Sequence, residues 1–103
     1  MANPSIVTQT GTGTSAWIPV DHTQNNFAIG FGCVVSGSVT YTVEHTFDDI
    51  QNASVTPTAF PNVSVTNKTA NQDGNYAFPI RALRLNVTAG TGSVTITVLQ
   101  GRK

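Results

Sequence analysis

Apolar and polar side chains alternate along most of this chain, with the two-residue period of a β-strand. The clearest stretch, Ala82 to Gly101, reads ALRLNVTAGTGSVTITVLQG. Leu83, Leu85 and Val87 share one face and Arg84, Asn86 and Thr88 the other, while Val94, Ile96 and Val98 repeat the pattern beyond a Gly-rich turn. This spacing predicts a β-hairpin. A second hairpin is predicted upstream. There Phe27, Ile29, Phe31, Cys33 and Val35 lie on one face, and Ser36, Gly37 and Ser38 make a turn. Val39, Tyr41, Val43 and His45 then alternate with Thr40, Thr42, Glu44 and Thr46. On the first of these strands, Ala28, Gly30 and Gly32 leave the opposite face nearly bare, which permits close approach by another strand, sheet or subunit.

Around these pairs the signals are shorter. Asn3 to Gly13 is polar and rich in Gly and Thr around Ile6 and Val7, and reads as an extended arm or an edge strand. Ser15 to Val20 carries Trp17, Ile18 and Val20, and Pro19 marks an edge or a strand end because it cannot donate to a ladder. Phe47 to Thr58 loses the period, and Asp48, Asp49, Gln51 and Asn52 ahead of Pro57 predict a loop with room for one helical turn. Asn62 to Thr66 reads as a short strand, and Asn71 to Asn75, NQDGN, as a tight turn with Gly74 at positive φ. The sheet pattern resumes from Tyr76 to Val87. Its apolar phase changes between Ile80 and Leu83, so a bulge near Arg81 and Ala82 or a break after Pro79 is expected. No heptad, helical period or long repeat occurs. About seven or eight short strands in one domain over residues 1–103 predict an all-β fold, an antiparallel β-sandwich or jelly-roll-like barrel with an N-terminal arm.

Composition narrows the class of partner. Charged residues make up 10% of the 103, against an average of about 25%. Five basic and five acidic residues cancel, so neither nucleic acid nor an anionic membrane is expected as a partner. Thr, Ser and Asn supply the polarity instead. Such a surface repels neighbours weakly and suits extracellular β-proteins or subunits of assemblies. The start, MANPSIVTQTG, has no basic n-region and no apolar run of signal-peptide length, and no stretch is apolar for long enough to span a bilayer. An extracellular type of composition without such a signal predicts a protein made in a cytoplasm that leaves its cell by another route, of which lysis by a virus is one.

Candidate chemistry is sparse. Cys33 is the sole cysteine, which excludes an intrachain disulfide and a Cys-based metal site, and its phase predicts a small core residue. His45 falls on the Val39, Tyr41 and Val43 face and reads as a sheet histidine satisfied by one neighbour; His22 reads as a solvated turn residue. No nucleophile elbow or zinc-helix spacing is present, so no catalytic residue and no cofactor is expected. Glu44, Asp48 and Asp49, or Asp73 with Asn71 and Asn75, could gather oxygen ligands, but neither group follows the EF-hand pattern and no metal is expected. Sequons at Asn52, Asn62, Asn67 and Asn86 are chance matches in a chain so rich in Thr, Ser and Asn. Trp17, Tyr41, Tyr76 and Phe60 are the pool for a sugar-stacking platform, although alternation assigns Tyr41 to the core.

The residues themselves nominate an interface. Ile6 and Val7 lie on an arm that can add a strand to an open sheet edge of a neighbour. Ala28, Gly30 and Gly32 form the bare face, and Arg81 and Arg84, with Arg102 and Lys103 at the end, could meet an acidic partner surface. The segment YTVEHTFDD, Tyr41 to Asp49, followed by the closing block PIRALRLNVTAGTGSVTITVLQG, Pro79 to Gly101, resembles the small β-rich accessory proteins encoded among the structural genes of tailed bacteriophages. Members of that group are typically head decoration, cement or other minor virion proteins. The resemblance implies a homo-oligomer, a capsid-side or tail-side partner and no catalytic residues. The resulting expectation is a noncatalytic structural protein of a phage virion that decorates or cements the capsid through contacts with itself and with the major capsid protein. The alternative is a carbohydrate- or receptor-binding β-module of a phage tail or a surface adhesin.

Overall fold

A computed structural model describes residues 5–23 and 27–100. Asn3, Arg102 and Lys103, part of the interface reading, lie outside the described residues. The strands are β1 (Ser5–Thr10), β2 (Gly13–Thr14), β3 (Ile18–Pro19), β4 (Ile29–Ser36), β5 (Val39–Thr46), β6 (Phe60–Pro61), β7 (Gln72–Tyr76), β8 (Ala82–Gly90) and β9 (Ser93–Gln100). They form two antiparallel sheets packed as a sandwich. Sheet A has the order β1-β9-β4-β7, and sheet B the order β2-β8-β5-β6, with β3 also on β8. The predicted alternation fills the space between them. Ile29, Phe31 and Cys33 of β4 and Val94, Ile96 and Val98 of β9 face Tyr41 and Val43 of β5 and Leu83, Leu85 and Val87 of β8.

Neither predicted hairpin exists. β8 and β9 lie in different sheets, as do β4 and β5. Each pair is an arch whose strands face each other across the core, and the hydrogen-bonded neighbours are instead β4 with β9 and β5 with β8. Alternation states which residues of a strand point inward, and a hairpin and an arch satisfy that condition equally. The arches stack side by side, so a long antiparallel ribbon is folded over across its middle. Ser36 pairs with Ser93 on one side of the fold and Val39 with Gly90 on the other. A third arch, β1 to β2, lies along the same line: Gly11 N donates to Gly92 O at 2.9 Å, and Gly92 N to Ser38 O at 3.1 Å.

Glycine makes this line of folds possible. Gly37 and Gly90 take φ of 82° and 100°, values that L side chains resist. At Gly90 a Cβ would run into the backbone carbonyl of Ser38, and at Gly92 into that of Ser36. The backbones cross too closely there for any side chain.

Residues 5–10 form the edge strand β1, paired with β9 of the same chain from Ser5 opposite Val98 to Thr10 opposite Ser93. β2 and β3 are two short contacts along one edge of β8. Ser15 between them joins the ladder, its N donating to Leu85 O and its Oγ accepting from Leu85 N, both at 2.9 Å. Pro19 sits on that edge, where its missing donor costs nothing.

Three local readings change. Asn62 to Thr66 is a turn, because Asn62 Oδ1 accepts from the backbone N of Ser64 and Val65 and draws the chain off the strand path. Gln72 to Tyr76 is strand β7, where a turn was expected. Gly74 serves close approach and not positive φ, since a Cβ there would lie 2.7 Å from Cζ of Phe31. The phase change before Leu83 is a break, with β7 ending at Tyr76 and β8 starting at Ala82.

Gly90→Ala is expected to lower the unfolding free energy by about 2 kcal/mol or more. Gly30→Ala, whose Cβ meets nothing within 4 Å, should leave stability unchanged or raise it by up to about 1 kcal/mol. Urea unfolding of the two variants measures the contrast, and equal effects would contradict the crossing geometry.

Candidate functional site

The two ends of the sandwich are closed by different means. At the glycine end backbone crosses backbone. At the other, β5 and β7 run out and their last inward residues, His45 and Tyr76, meet between the sheets. The inward phase continues two residues further on each, to Phe47 and Phe78, and Phe60 of β6 pairs with His45. The His45 ring is therefore surrounded. Centroids lie at 4.9 Å to Tyr76, 5.5 Å to Phe47, 5.8 Å to Phe78 and 6.0 Å to Phe60, the last stacked and the others edge-on. His45 and Tyr76 are buried, whereas Phe47, Phe60 and Phe78 remain 49, 45 and 49% exposed.

A short polar chain runs through this apolar end. Asn62 spends its Oδ1 on the turn it caps, which leaves its amide N–H to donate to the Tyr76 hydroxyl. The Tyr76 hydroxyl lies 2.8 Å from His45 Nδ1 and shares a hydrogen bond with it, in a direction set by the imidazole tautomer. Burial holds the imidazole below its ordinary pKa, and burial pushes the Tyr76 phenol up to about 12, partly offset by Asn62. Both groups are neutral near pH 7. Beside them a cleft of about 160 Å³ is lined by His45, Pro61, Asn62, Val63, Ser64, Asn75, Tyr76 and Phe78. Such a cleft can take one apolar or amphipathic group, with amide and hydroxyl partners on its wall.

The residues nominated from the sequence fall in three places. Ile6, Gly30 and Gly32 share the outer face of sheet A: Ile6 pairs with Thr97, which pairs with Gly32. Ala28 is exposed just ahead of that face, while Val7 points inward against the core. Arg81 and Arg84 belong to sheet B and its margin. Arg84 is engaged within the chain: its Nε donates to Glu44 Oε1 at 2.9 Å, its guanidinium lies 4.3 Å over the Trp17 ring, and Asn86 holds the other carboxylate oxygen at 3.0 Å. Arg81 makes a longer pair, 3.6 Å to Asp49. In the sugar-stacking pool, Tyr41 and Tyr76 are buried and Trp17 lies under Arg84, leaving Phe60 at the surface.

The remaining polar candidates are dispersed. Glu44 and His45 are consecutive on β5 and point to opposite faces, so they do not converge. Asp48 accepts from Thr58 N, Asp49 from Gln51 N, and Asn71 from Val35 N. Cys33 is buried beside Tyr41, and desolvation pushes its thiol up to about 12. His22 is exposed and lines a cleft of about 120 Å³ with Pro19, Val20, Asp49, Ile50, Gln51 and Arg81.

Several surface residues were not singled out by the sequence reading: Phe47, Phe78, Val34 and Leu99. Two signals mark them. The apolar phase of β5 and β7 outlasts the strand by one step, at Phe47 and Phe78. In β4 and β9 the alternation doubles, at Val34–Val35 and Val98–Leu99, so one residue of each pair must face out. No family model, curated protein or solved structure matches this chain, so what these surfaces do is read from their own chemistry.

The depressed imidazole has a pH consequence. The unfolded chain takes up a proton at His45 before the folded chain does, so the stability this residue carries is full above about pH 6.5 and is lost as pH falls through its depressed folded value. Urea unfolding at pH 7 and pH 5 should show that loss in the wild type and a smaller one in His45→Gln. Tyr76→Phe strips His45 Nδ1 of its partner and should cost about 1–3 kcal/mol at pH 7. Arg84→Gln should cost about 1–2 kcal/mol, whereas Arg81→Gln, with both partners well solvated, should cost under about 0.5 kcal/mol. Thermal unfolding of the two arginine variants side by side checks that order.

Proposed function

We propose that this chain is a noncatalytic structural subunit of a phage virion, one that decorates or cements the capsid. The observation that carries the reading is the trio Phe47, Phe60 and Phe78. With Phe47 5.7 Å from Phe60 and 6.3 Å from Phe78, and each ring roughly half exposed, about 300 Å² of aromatic surface stays in water. That is the scale of the largest apolar patch on an ordinary monomer, a patch that is often functional. The rings are anchored from beneath by His45 and Tyr76, so little entropy is lost when a partner covers them. The patch is the contact with the capsid protein. The phage context comes from the resemblance of Tyr41–Asp49 and Pro79–Gly101 to accessory virion proteins, and the first of these segments supplies His45 and Phe47.

A second reading, a carbohydrate- or receptor-binding module, is favoured by one feature: the cleft beside Phe78 offers Asn62, Ser64 and Asn75 as polar partners next to a ring. Glycan-induced NMR shifts confined to those residues would support it.

Purified particles from the source that encodes the chain are expected to carry it, and particles stripped of it should rebind the wild-type protein. A Phe47→Ser/Phe78→Ser double variant, checked as folded by circular dichroism, should rebind about tenfold or more weakly. A chain absent from the particles, or a double variant that rebinds like wild type, overturns the reading.

A further inference from the structure

The outer face of sheet A is a second surface, separate from the aromatic end, on which a few large apolar side chains stand among Thr, Ser and Asn. Ile6, Val34 and Leu99 stand out from it with 61, 59 and 55% of their surface in water. Asp73 is the only charged residue in β1, β4, β7 and β9. Beside Leu99 the floor drops to glycine. Gly30 pairs with Leu99 and Gly32 with Thr97, and a Cβ built on either glycine would meet nothing within 4 Å.

We propose that this face binds a second copy of the chain, sheet A against sheet A, about a twofold axis running between β4 and β9 and parallel to them. The proposal rests on the reading of the chain as an assembly subunit and names its self-contact. Such an axis lays β9 of one copy over β4 of the other at the same height, so residues in register across β4 and β9 become opposed across the interface. Leu99, the register partner of Gly30, comes to lie over Gly30 of the second copy, and Thr97 over Gly32 of the second copy. Each copy then offers one knob and one hole to the other.

The separation of like charges allows that occupant, while the same axis lays β1 over β7 of the second copy and sets Ile6 opposite Asp73 at the rim. An isologous contact sets each charge near its own twin, and here the one charge is on the rim strand β7. With strands about 4.8 Å apart and sheets about 10 Å apart, the two Asp73 carboxylates stand roughly 17 Å from each other, beyond the screening length of about 8 Å. Strands of six, eight, eight and five residues make a face of roughly 430 Å² in projection. Side chains raise its accessible area toward the about 800 Å² per partner of a stable dimer.

Sedimentation velocity from about 1 to 500 µM tests the pairing. The wild type should dimerise. Gly30→Leu, which has open space in the monomer, sets knob on knob and should weaken dimerisation about 100-fold. Adding Leu99→Ala to it should restore dimerisation to within about tenfold of wild type. General stickiness of the face predicts the reverse, since an added leucine would strengthen it. A monomeric wild type, an unweakened Gly30→Leu dimer such as one joined along the β1 edge, or a double variant no better than the single one overturns the proposal. Particle rebinding by the same proteins is scored separately. A monomeric wild type that still binds particles removes the self-contact alone, and a dimer that binds none removes the capsid reading alone.

Discussion

The close crossing of backbones at one end of the sandwich is the constraint on which the rest depends. Three arches turn there side by side, and the amides of Gly11 and Gly92 tie each turn to the next. The absence of a Cβ at Gly90 and Gly92 lets the carbonyls of Ser38 and Ser36 approach. Each ladder starts within two residues of a fold: β4 and β9 then keep one register throughout, whereas β5 and β8 shift by one residue between Thr40 and Tyr41. The inward faces of both sheets are then fixed, and with them the core. Such a topology brings sequence-distant strands together, so its pairings close long loops before they are rewarded.

Constraint at one end leaves the other to side chains. Strands that begin in register at the glycine turns end raggedly, and the gap between the sheets there is filled by rings. Tyr76 and His45 lie within it and satisfy one another, with Asn62 behind them. Phe47, Phe60 and Phe78 lie across its mouth, and about half of each ring still meets water. A plug of this kind is the ordinary solution for the open end of a sandwich. What exceeds that need is the exposed half of three rings, with Phe60 and Phe78 both within 6.3 Å of Phe47, since a single ring closes such a gap with less surface left in water.

How much of this could be read from the sequence depended on the range of the interaction. The inward set was legible almost residue by residue, because alternation reports the face of a strand and nothing more distant: Ile29, Phe31, Tyr41, Val43, Leu83, Leu85, Ile96 and Val98 are all buried. The partner of each strand was not legible. A turn such as Ser36–Gly37–Ser38 serves hairpin and arch alike, and the choice is made by the strands stacked beside it. NQDGN misled for a related reason: Gly74 is there to clear Phe31, a contact forty-three positions away in sequence that no local propensity records. The outward placing of Ile6, Gly30 and Gly32 was legible from the bare phase of β4 and the apolar pair in β1. Arg84 was not separable from a free cation until Glu44 and Trp17 were seen to hold it. The aromatic end assembles residues from β5, β6, β7 and the segments after them, and only the fold brings those together.

The scarcity of charge takes on a different meaning once it is distributed over the structure. Sheet B carries Glu44 and Arg84 on its outer face, where they neutralise one another under cover of Trp17 and Asn86, so that face offers a partner little that is not already engaged. Sheet A carries one carboxylate at its rim and three large apolar residues in the open. Low charge is a hazard for a protein that must remain apart from its neighbours. For one that must meet them it removes the desolvation cost that charged faces impose on association. The asymmetry between the two sheets gives the molecule a self-satisfied face, a face with one carboxylate and three exposed apolar side chains, and an aromatic end pointing along the strands. Contacts through the last two run in different directions and use different residues, so occupying one leaves the other open. That independence is what a subunit needs if it is to touch its own kind and a second protein at once.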